Sequence, residues 1–412
     1  CLITNHLQGT LIMLNNISRR TALETLGVTL AAGTILHAAP SETIRIGCIG
    51  TGGRCRTLMK SLLTIPNTSI VAISDIRQDA LAQAKAMTGD KVAMFSDYRK
   101  LLEDKNIDAV LIGSPDHWHV PMTIDAVAAG KDVYVEKPLT HSLEEGEKVI
   151  QAVRKSKQVV QIGTQQRSME HIKKAKEAVA AGKIGKVYRV HMSWNRNSDR
   201  VKKGDPTTNA SNVNWKAFLG NVADQPFDDY KMRNWRWFWD FGGGIFTDLM
   251  VHWVDVAHWV LNLESPISAA SLGTMVNAKG IWETPDMVQT IMEYKDGIQM
   301  FFEGGFSNAR HGARIEFMGT EGTIYVDRGC FQIIPDWNRK IKAEELILGV
   351  GRRGADFYDK PDGEKLHLED WVGAMRSRKD PSTPVEAGVH AAAAAHLANK
   401  ALRSGKVATA QV

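Results

Sequence analysis

Asp248, His252 and Asp255 recur at i, i+4 and i+7 in a stretch that is otherwise apolar, with Leu249, Val251, Val254 and Val256 between them. On a helix that spacing puts all three on one face, and polar groups there need partners if the helix is buried. Oxidation of a carbinol removes a hydride from carbon and a proton from oxygen. An imidazole, with an unperturbed pKa of about 6.5, suits that proton. His252 is the candidate acceptor, and Asp248, one turn earlier, is placed to orient the ring and stabilise its cation. Two other readings use the same residues: with His258 they could ligate a metal, or they could form a satisfied polar network at a domain interface. The proton-transfer reading calls for no metal.

Glu136-Lys137-Pro138 ends one β-branched run, Val133-Tyr134-Val135, and Gly113-Ser114-Pro115-Asp116-His117-Trp118-His119 ends another at Ile112. Ligands of open parallel sheets bind beyond the C-terminal strand ends, so both turns should face a cofactor. A residue before proline is held extended, which aims Lys137. Its ammonium could share the substrate hydroxyl and hold developing alkoxide charge. His117 or His119 could line the same pocket, or either could cap a helix. Upstream, Gly50-Thr51-Gly52-Gly53-Arg54-Cys55 follows the run Ile44 to Ile49. Glycines there let a pyrophosphate approach the unpaired N–H groups of a helix N-terminus. Cys55 stands where a third glycine or alanine is usual, and is small enough to fit. The next run ends in Ser74-Asp75, where a carboxylate can accept from both ribose hydroxyls and repel a 2′-phosphate. Arg77 could instead stack on adenine or meet a phosphate. NAD is expected, with NADP the alternative.

These residues need a particular frame. Near-continuous apolar runs at 44–49, 70–73, 109–112, 133–135 and 159–162 alternate with helical stretches, the pattern of a parallel sheet covered on both faces. The spacing predicts a doubly wound α/β domain. After Arg167 the pattern changes to a helix at 170–181, a strand at 187–194, a Trp-rich polar loop at 195–240 and a helix at about 246–261. Strand-like runs follow at 267–276, 287–294, 298–306, 314–318 and 322–326, with a turn signal at Asp296-Gly297. They predict one large, mostly antiparallel open sheet in an α+β domain, closed by helices at 366–378 and 385–403.

The Gly50 turn, Glu136-Lys137-Pro138, and the glycine-led Asp248-x-x-x-His252, in this order, resemble the Gfo/Idh/MocA oxidoreductases, a family that includes glucose–fructose oxidoreductase and inositol dehydrogenase. The resemblance implies a Rossmann domain and Lys137, Asp248 and His252 as catalytic residues. It also implies tightly held NAD(H) or NADP(H), a sugar or polyol substrate, and dimers or tetramers formed through the sheet face. Gly50, Gly52, Gly53, Arg54, Asp75, Arg77, Ser114, Pro115, His119, Glu136, Lys137 and Gln165 form the expected cofactor set. Arg167, Asn195, Arg236, Trp237 and Asp255 are expected against the substrate, with His191 a further possibility. Trp235, Trp237 and Trp239 could stack on a sugar or build a core cluster. Two other functions fit the same scaffold: redox-neutral glycoside cleavage through transient ring oxidation, and non-enzymatic sensing of a sugar or nucleotide.

The rest of the chain sets limits. Of 412 residues 43% are hydrophobic and 24% charged, with a net charge of +5. The basic residues are scattered rather than gathered on a stripe, which argues against nucleic acid as a partner. Beyond Cys1 there are three cysteines without CxxC spacing, which argues against a disulfide framework or a zinc knuckle. Residues 1–12 read as upstream sequence. Residues 13–39, with Ser18-Arg19-Arg20 before an apolar stretch and Ala38-Ala39-Pro40 after it, read as a twin-arginine export signal leading to the periplasm. Glu24 interrupts the apolar stretch. No other segment approaches the length of a membrane span. The expected layout is a nucleotide domain at 40–165, a substrate and oligomerisation domain at 166–385, and a final helix and tail at 386–412.

Overall fold

The computed structural model describes residues 43–198, 200–201, 208–348 and 363–410; the expected export signal lies outside them. The first sheet is parallel. Its strands are β1 (Ile44–Ile49), β2 (Thr68–Ser74), β3 (Ala93–Phe95), β4 (Ala109–Ile112), β5 (Asp132–Val135) and β6 (Val160–Ile162), in the order β3-β2-β1-β4-β5-β6. Helices α1 (Gly53–Leu62), α2 (Gln78–Thr88), α3 (Tyr98–Glu103), α4 (Asp116–Ala128) and α5 (Glu145–Ser156) connect them. β4 and β5 are buried along their whole length, which is why they read as unbroken apolar runs. One apolar cluster, with Leu58, Met59 and Tyr134, covers one face, and another, with Val120, Val149 and Val153, covers the other. The doubly wound frame is the one expected.

The second domain opens with a 3-10 turn, Gln165–Ser168, and α6 (Glu170–Ala180), followed by β7 (Val187–Asn195), α7 (Trp215–Leu219) and α8 (Asp229–Arg233). A π-helical turn, Phe246–Met250, runs directly into α9 (Val251–Leu261). The sheet then takes β8 (Ser268–Thr274), β9 (Met287–Glu293), β10 (Gln299–Gly305), β11 (Ala313–Gly319), β12 (Gly322–Asp327), β13 (Cys330–Pro335) and β14 (Glu344–Ile347). After α10 (Gly363–Ser377) and α11 (Val385–Ser404), β15 (Ala408–Thr409) completes nine strands in the order β14-β13-β12-β11-β7-β10-β9-β8-β15. All neighbours are antiparallel except β7 and β10. Sequence reading missed β3, β14 and β15, which are short and lie at an edge, and β13, which pairs between β12 and β14. Helix α10, which falls in the expected second domain, packs Leu368, Trp371 and Val372 into the core of the first.

One face of the nine-stranded sheet is core: Met192, Phe302, Phe317 and Ile324 are buried in one cluster, with the π turn against β7 and β10 and α6 against β12. The opposite face carries a row set by register, Ala270, Ile291, Phe301, His191, Glu316 and Tyr325. Leu272 and Ile291 on it are 77% and 53% exposed. No helix of the described residues is long and apolar enough to cross a membrane.

Candidate active site

Two cavities of about 840 and 510 Å³ open beyond the C-terminal ends of the parallel strands and share Gly113, Ser114 and Trp235. The smaller is built around the glycine turn. Gly50 has φ +72, and a Cβ on it would stand 2.7 Å from the Ser114 amide nitrogen. Gly52 is the N-cap of α1 and no side chain caps the helix. A Cβ at Gly52 or Gly53 would meet nothing within 4 Å. Open space over uncapped N–H donors is what a pyrophosphate requires. Cys55 fits its position because its Cβ packs against Gly113.

Asp75 lines this cavity beside Pro115 and Arg77. It accepts from the Arg77 amide at 2.8 Å and lies 3.4 Å from the Thr51 hydroxyl. Burial pushes its pKa up to about 6, against the lowering effect of those donors and the Arg77 charge. The Arg77 guanidinium is turned to Asp79, which leaves Asp75 open towards a ribose. Tyr98, Trp118 and Met122 add an apolar wall suited to adenine, which sequence reading had not assigned. A dinucleotide therefore fits the residues present.

The larger cavity holds Arg54, Ser114, His119, Glu136, Lys137, Gln165, Arg236, Trp237, Asp248 and His252 of the expected set. Arg54 donates to Glu136 at 2.9 Å and also reaches Glu364 on α10, tying α1 to the end of β5. His119 lies 2.6 Å from the Pro138 carbonyl and 2.9 Å from that of Ser114, so it fixes both strand-end turns. His117 caps the other way, 2.8 Å from the Phe218 carbonyl among Phe218 and Phe241. The Lys137-Pro138 peptide is cis.

Lys137 donates from Nζ to the Asp248 carbonyl at 2.7 Å and to Asp248 Oδ1 at 3.1 Å. Arg236 Nε donates to the same Oδ1 at 3.0 Å, and Arg200 lies 3.8 Å from Oδ2. Burial alone would raise the Asp248 pKa, but Lys137, Arg236 and Arg200 outweigh it and hold the carboxyl well below the usual carboxylate range. This corrects one expectation: Asp248 holds Lys137, and no hydrogen bond joins it to His252 among the described residues. The π turn at 246–250 is the physical reason, because its wider winding breaks the i,i+4 register assumed for a regular helix. His252 instead stacks on Trp194, with centroids 5.2 Å apart, and its Nδ1 is buried without a partner. Burial, reinforced by the Lys137 charge, depresses its pKa well below the ordinary value, so the imidazole is neutral and able to accept a proton.

Three substrate expectations are overturned. Asp255 takes both guanidinium arms of Arg167 at 2.7 and 2.8 Å, in a pair that is almost wholly buried. Neither residue lines either of the two cavities; the pair joins α9 to the 3-10 turn. That removes Asp255 from any shared metal set with His252. Asn195, at the end of β7, donates to Glu303 and to the Arg310 carbonyl, also outside the cavity. His191 lies on the outer sheet face against Phe301 and Glu316. His258 meets the Tyr294 hydroxyl at 2.8 Å in the core. Of the three tryptophans, Trp237 is stacked at 4.3 Å on Trp282, Trp239 lies under Arg403, and Trp235 faces the cleft with Arg236 over its ring at 4.2 Å. The sequence reading missed Trp194, Arg196, Arg200, Arg233, Arg328 and Glu364, which line the cavity, and Asp116, buried near Lys137 and Arg236.

Residues 44–164 match the family model described as the oxidoreductase family, NAD-binding Rossmann fold, GFO_IDH_MocA, and residues 172–325 match the C-terminal domain model of the same family. Myo-inositol 2-dehydrogenase of Thermotoga maritima is 26% identical over 367 residues, covering 87% of this chain and 96% of that one. The NAD(+)-dependent scyllo-inositol 2-dehydrogenase of Bacillus subtilis is 27% identical over 342 residues, covering 82% and 88%. Among solved structures, levoglucosan dehydrogenase in complex with NADH superposes with a TM-score of 0.70 at 19% identity, covering 90% of this chain and 100% of that one. That last likeness is one of fold.

Proposed function

Because the chain belongs to the GFO/IDH/MocA oxidoreductase family, we propose that it interconverts a secondary alcohol of a sugar or polyol and the corresponding ketone, in the cavity between Lys137 and His252. A dinucleotide held with its pyrophosphate at Gly52 and Gly53 would supply the hydride acceptor. His252, neutral and unpartnered at Nδ1, accepts the hydroxyl proton. Lys137 has three N–H donors, and Asp248 engages it twice, leaving one for the substrate oxygen as charge builds there. Asp248 thus positions the ammonium, and Gln165, with Oε1 buried and unpartnered, would accept from the cofactor carboxamide. The observation that carries the reading is the meeting of Lys137, from the nucleotide domain, with the Asp248–His252 segment of the second. Inositol dehydrogenases among the relatives support the substrate class.

The test is mass spectrometry of cofactor released from purified protein, then NADH formation against a panel of sugars and polyols. His252→Ala should retain NADH while kcat falls by about 10²–10⁴-fold, the usual contribution of a positioned general base. Undiminished turnover in that variant would sink the assignment. Product without net NADH would instead point to redox-neutral glycoside cleavage. Assembly through the outer sheet face, and export directed by Arg19-Arg20 and the apolar stretch after it, belong to the same proposal.

A further inference from the structure

The 3-10 turn Gln165–Ser168 forms part of the wall of the larger cavity through Gln165 and Gln166. Gln166 is 4% exposed, and its Oε1 is buried with no partner among the described residues. A primary amide carries an acceptor oxygen and two N–H donors, and burying it unpaired lowers stability. Native folds rarely keep such a group without a reason. Packing gives none here, because an apolar side chain of the same length would fill the position without the penalty.

The fold ties this turn to the helix that carries the proton acceptor. The two residues after Gln166 are both held: Arg167 by Asp255 at 2.7 and 2.8 Å, and Ser168, whose hydroxyl lies 2.9 Å from His367 Nδ1. Asp255 stands three residues after His252 on α9, and His367 belongs to α10. The Gln166 carbonyl accepts from the Met169 amide at 3.2 Å, so the backbone under the side chain is fixed as well. With three residues to a 3-10 turn, consecutive side chains diverge by about 120°, and Gln165 and Gln166 serve different groups. With Gln165 assigned to the cofactor carboxamide, Gln166 is left to the substrate.

We infer that Gln166 determines specificity, holding a second hydroxyl of the substrate while Lys137 and His252 meet the carbinol. That hydroxyl donates to Oε1, and Nε2 donates to an oxygen beside it. The inference rests on the dehydrogenase reading above and narrows its substrates to polyhydroxylated ones, because a simple secondary alcohol leaves the amide unpaired. A site built around such a hydrogen bond rejects the analogue lacking the hydroxyl more strongly than an apolar pocket rejects a missing methylene. No bond is made or broken at Gln166.

The test measures NADH formation by the NAD-loaded protein with myo-inositol, glucose, galactose and mannose, each beside its monodeoxy analogues. For at least one parent, removing one hydroxyl other than the reacting one should lower kcat/KM about tenfold, the scale of one hydrogen bond. Gln166→Met should lower kcat/KM for that parent by a similar factor and leave parent and analogue about equal. Its Tm should not fall, because the replaced oxygen has no partner in the fold, and its affinity for NADH, read by bound-NADH fluorescence, should be unchanged. A discrimination that survives in the variant would overturn the inference. So would a Tm lowered by several degrees, which would give the amide a structural role, or weakened NADH, which would move it to the cofactor. No NADH formed from any parent by the wild-type protein would instead refute the dehydrogenase reading, and the inference with it.

Discussion

Replacing Asp255 by asparagine leaves the Arg167 guanidinium charged, buried and short of its only carboxylate among the described residues. At 2.7 Å the pair's Coulomb attraction is about 6 kcal/mol at an effective dielectric constant near 20. Removing one partner of a buried pair usually costs about 3–5 kcal/mol, because the remaining ion stays desolvated. The Ser382 carbonyl, at 3.1 Å, and the Trp259 ring, 5.7 Å away, remain to Arg167 and keep the cost within that range. For a chain of this size such a loss lowers Tm by about 5–10 °C. Thermal melting followed by circular dichroism measures it, and NADH formation at a temperature where the variant is folded measures function. Since neither residue lines the cavity, KM for the alcohol should stay within about twofold, the scatter of changes that touch no substrate. The paired change Arg167→Met with Asp255→Leu should recover much of the lost Tm, because no charge is then left buried. An unchanged Tm with a KM raised about tenfold, or 1.4 kcal/mol, would refute the reasoning and return Asp255 to the substrate.

Asp75, at about 6 in the cofactor-free protein, lies above its unfolded value, so folding favours its protonated form and the stability this contributes is lost as pH rises through about 6. Ribose hydroxyls favour the carboxylate. NADH affinity should therefore fall as pH is lowered from about 8 to about 5, and Asp75→Asn should flatten the profile in a fluorescence titration; a wild-type profile already flat would contradict the assignment. Gly50→Ala and Gly52→Ala should separate folding from binding. The first places a Cβ 2.7 Å from the Ser114 nitrogen at φ +72 and lowers Tm. The second meets nothing in the protein, leaves Tm within a few degrees, and weakens NADH by about tenfold or more through lost pyrophosphate contacts. Ile291→Asp, on the exposed sheet face, should leave activity per folded protein in place and reduce the assembled mass seen by light scattering. A mass unchanged by that charge would remove the face from assembly.

The sequence was most legible where a signal is local. The parallel strands are buried on both faces, so their apolar runs mark them directly, and the glycine turn and Glu136-Lys137-Pro138 follow strands whose ends must face the cleft. Partner choice was not legible. Arg167 and Asp255 are 88 positions apart, and nothing in the helical spacing of Asp255 shows that it turns to the core. Arg196 follows β7, Arg328 lies between β12 and β13, and Glu364 comes from a helix 310 positions after Arg54. None belongs to a periodic pattern, so only the fold brings them to one cavity.

The π turn shows how one local departure changes a chemical assignment. Read as a regular helix, Asp248 sits one turn before His252 and would serve it as an orienting carboxylate. Wound more widely, the segment sends Asp248 Oδ1 and its own carbonyl to Lys137, and the carboxylate's remaining capacity goes to Arg236 and Arg200. A carboxylate shared among three cations makes no hydrogen bond to the imidazole among the described residues and acts on it through its charge alone, which raises the His252 pKa. His252 is therefore held by shape, against Trp194, rather than by an anionic partner, and burial keeps it neutral. Burial sets its proton affinity first, the Lys137 charge lowers it further, and Asp248 acts in the opposite sense, ahead of the smaller effect of Arg328, so the base that acts on the neighbouring carbinol is weakened by its surroundings more than the Asp248 charge strengthens it.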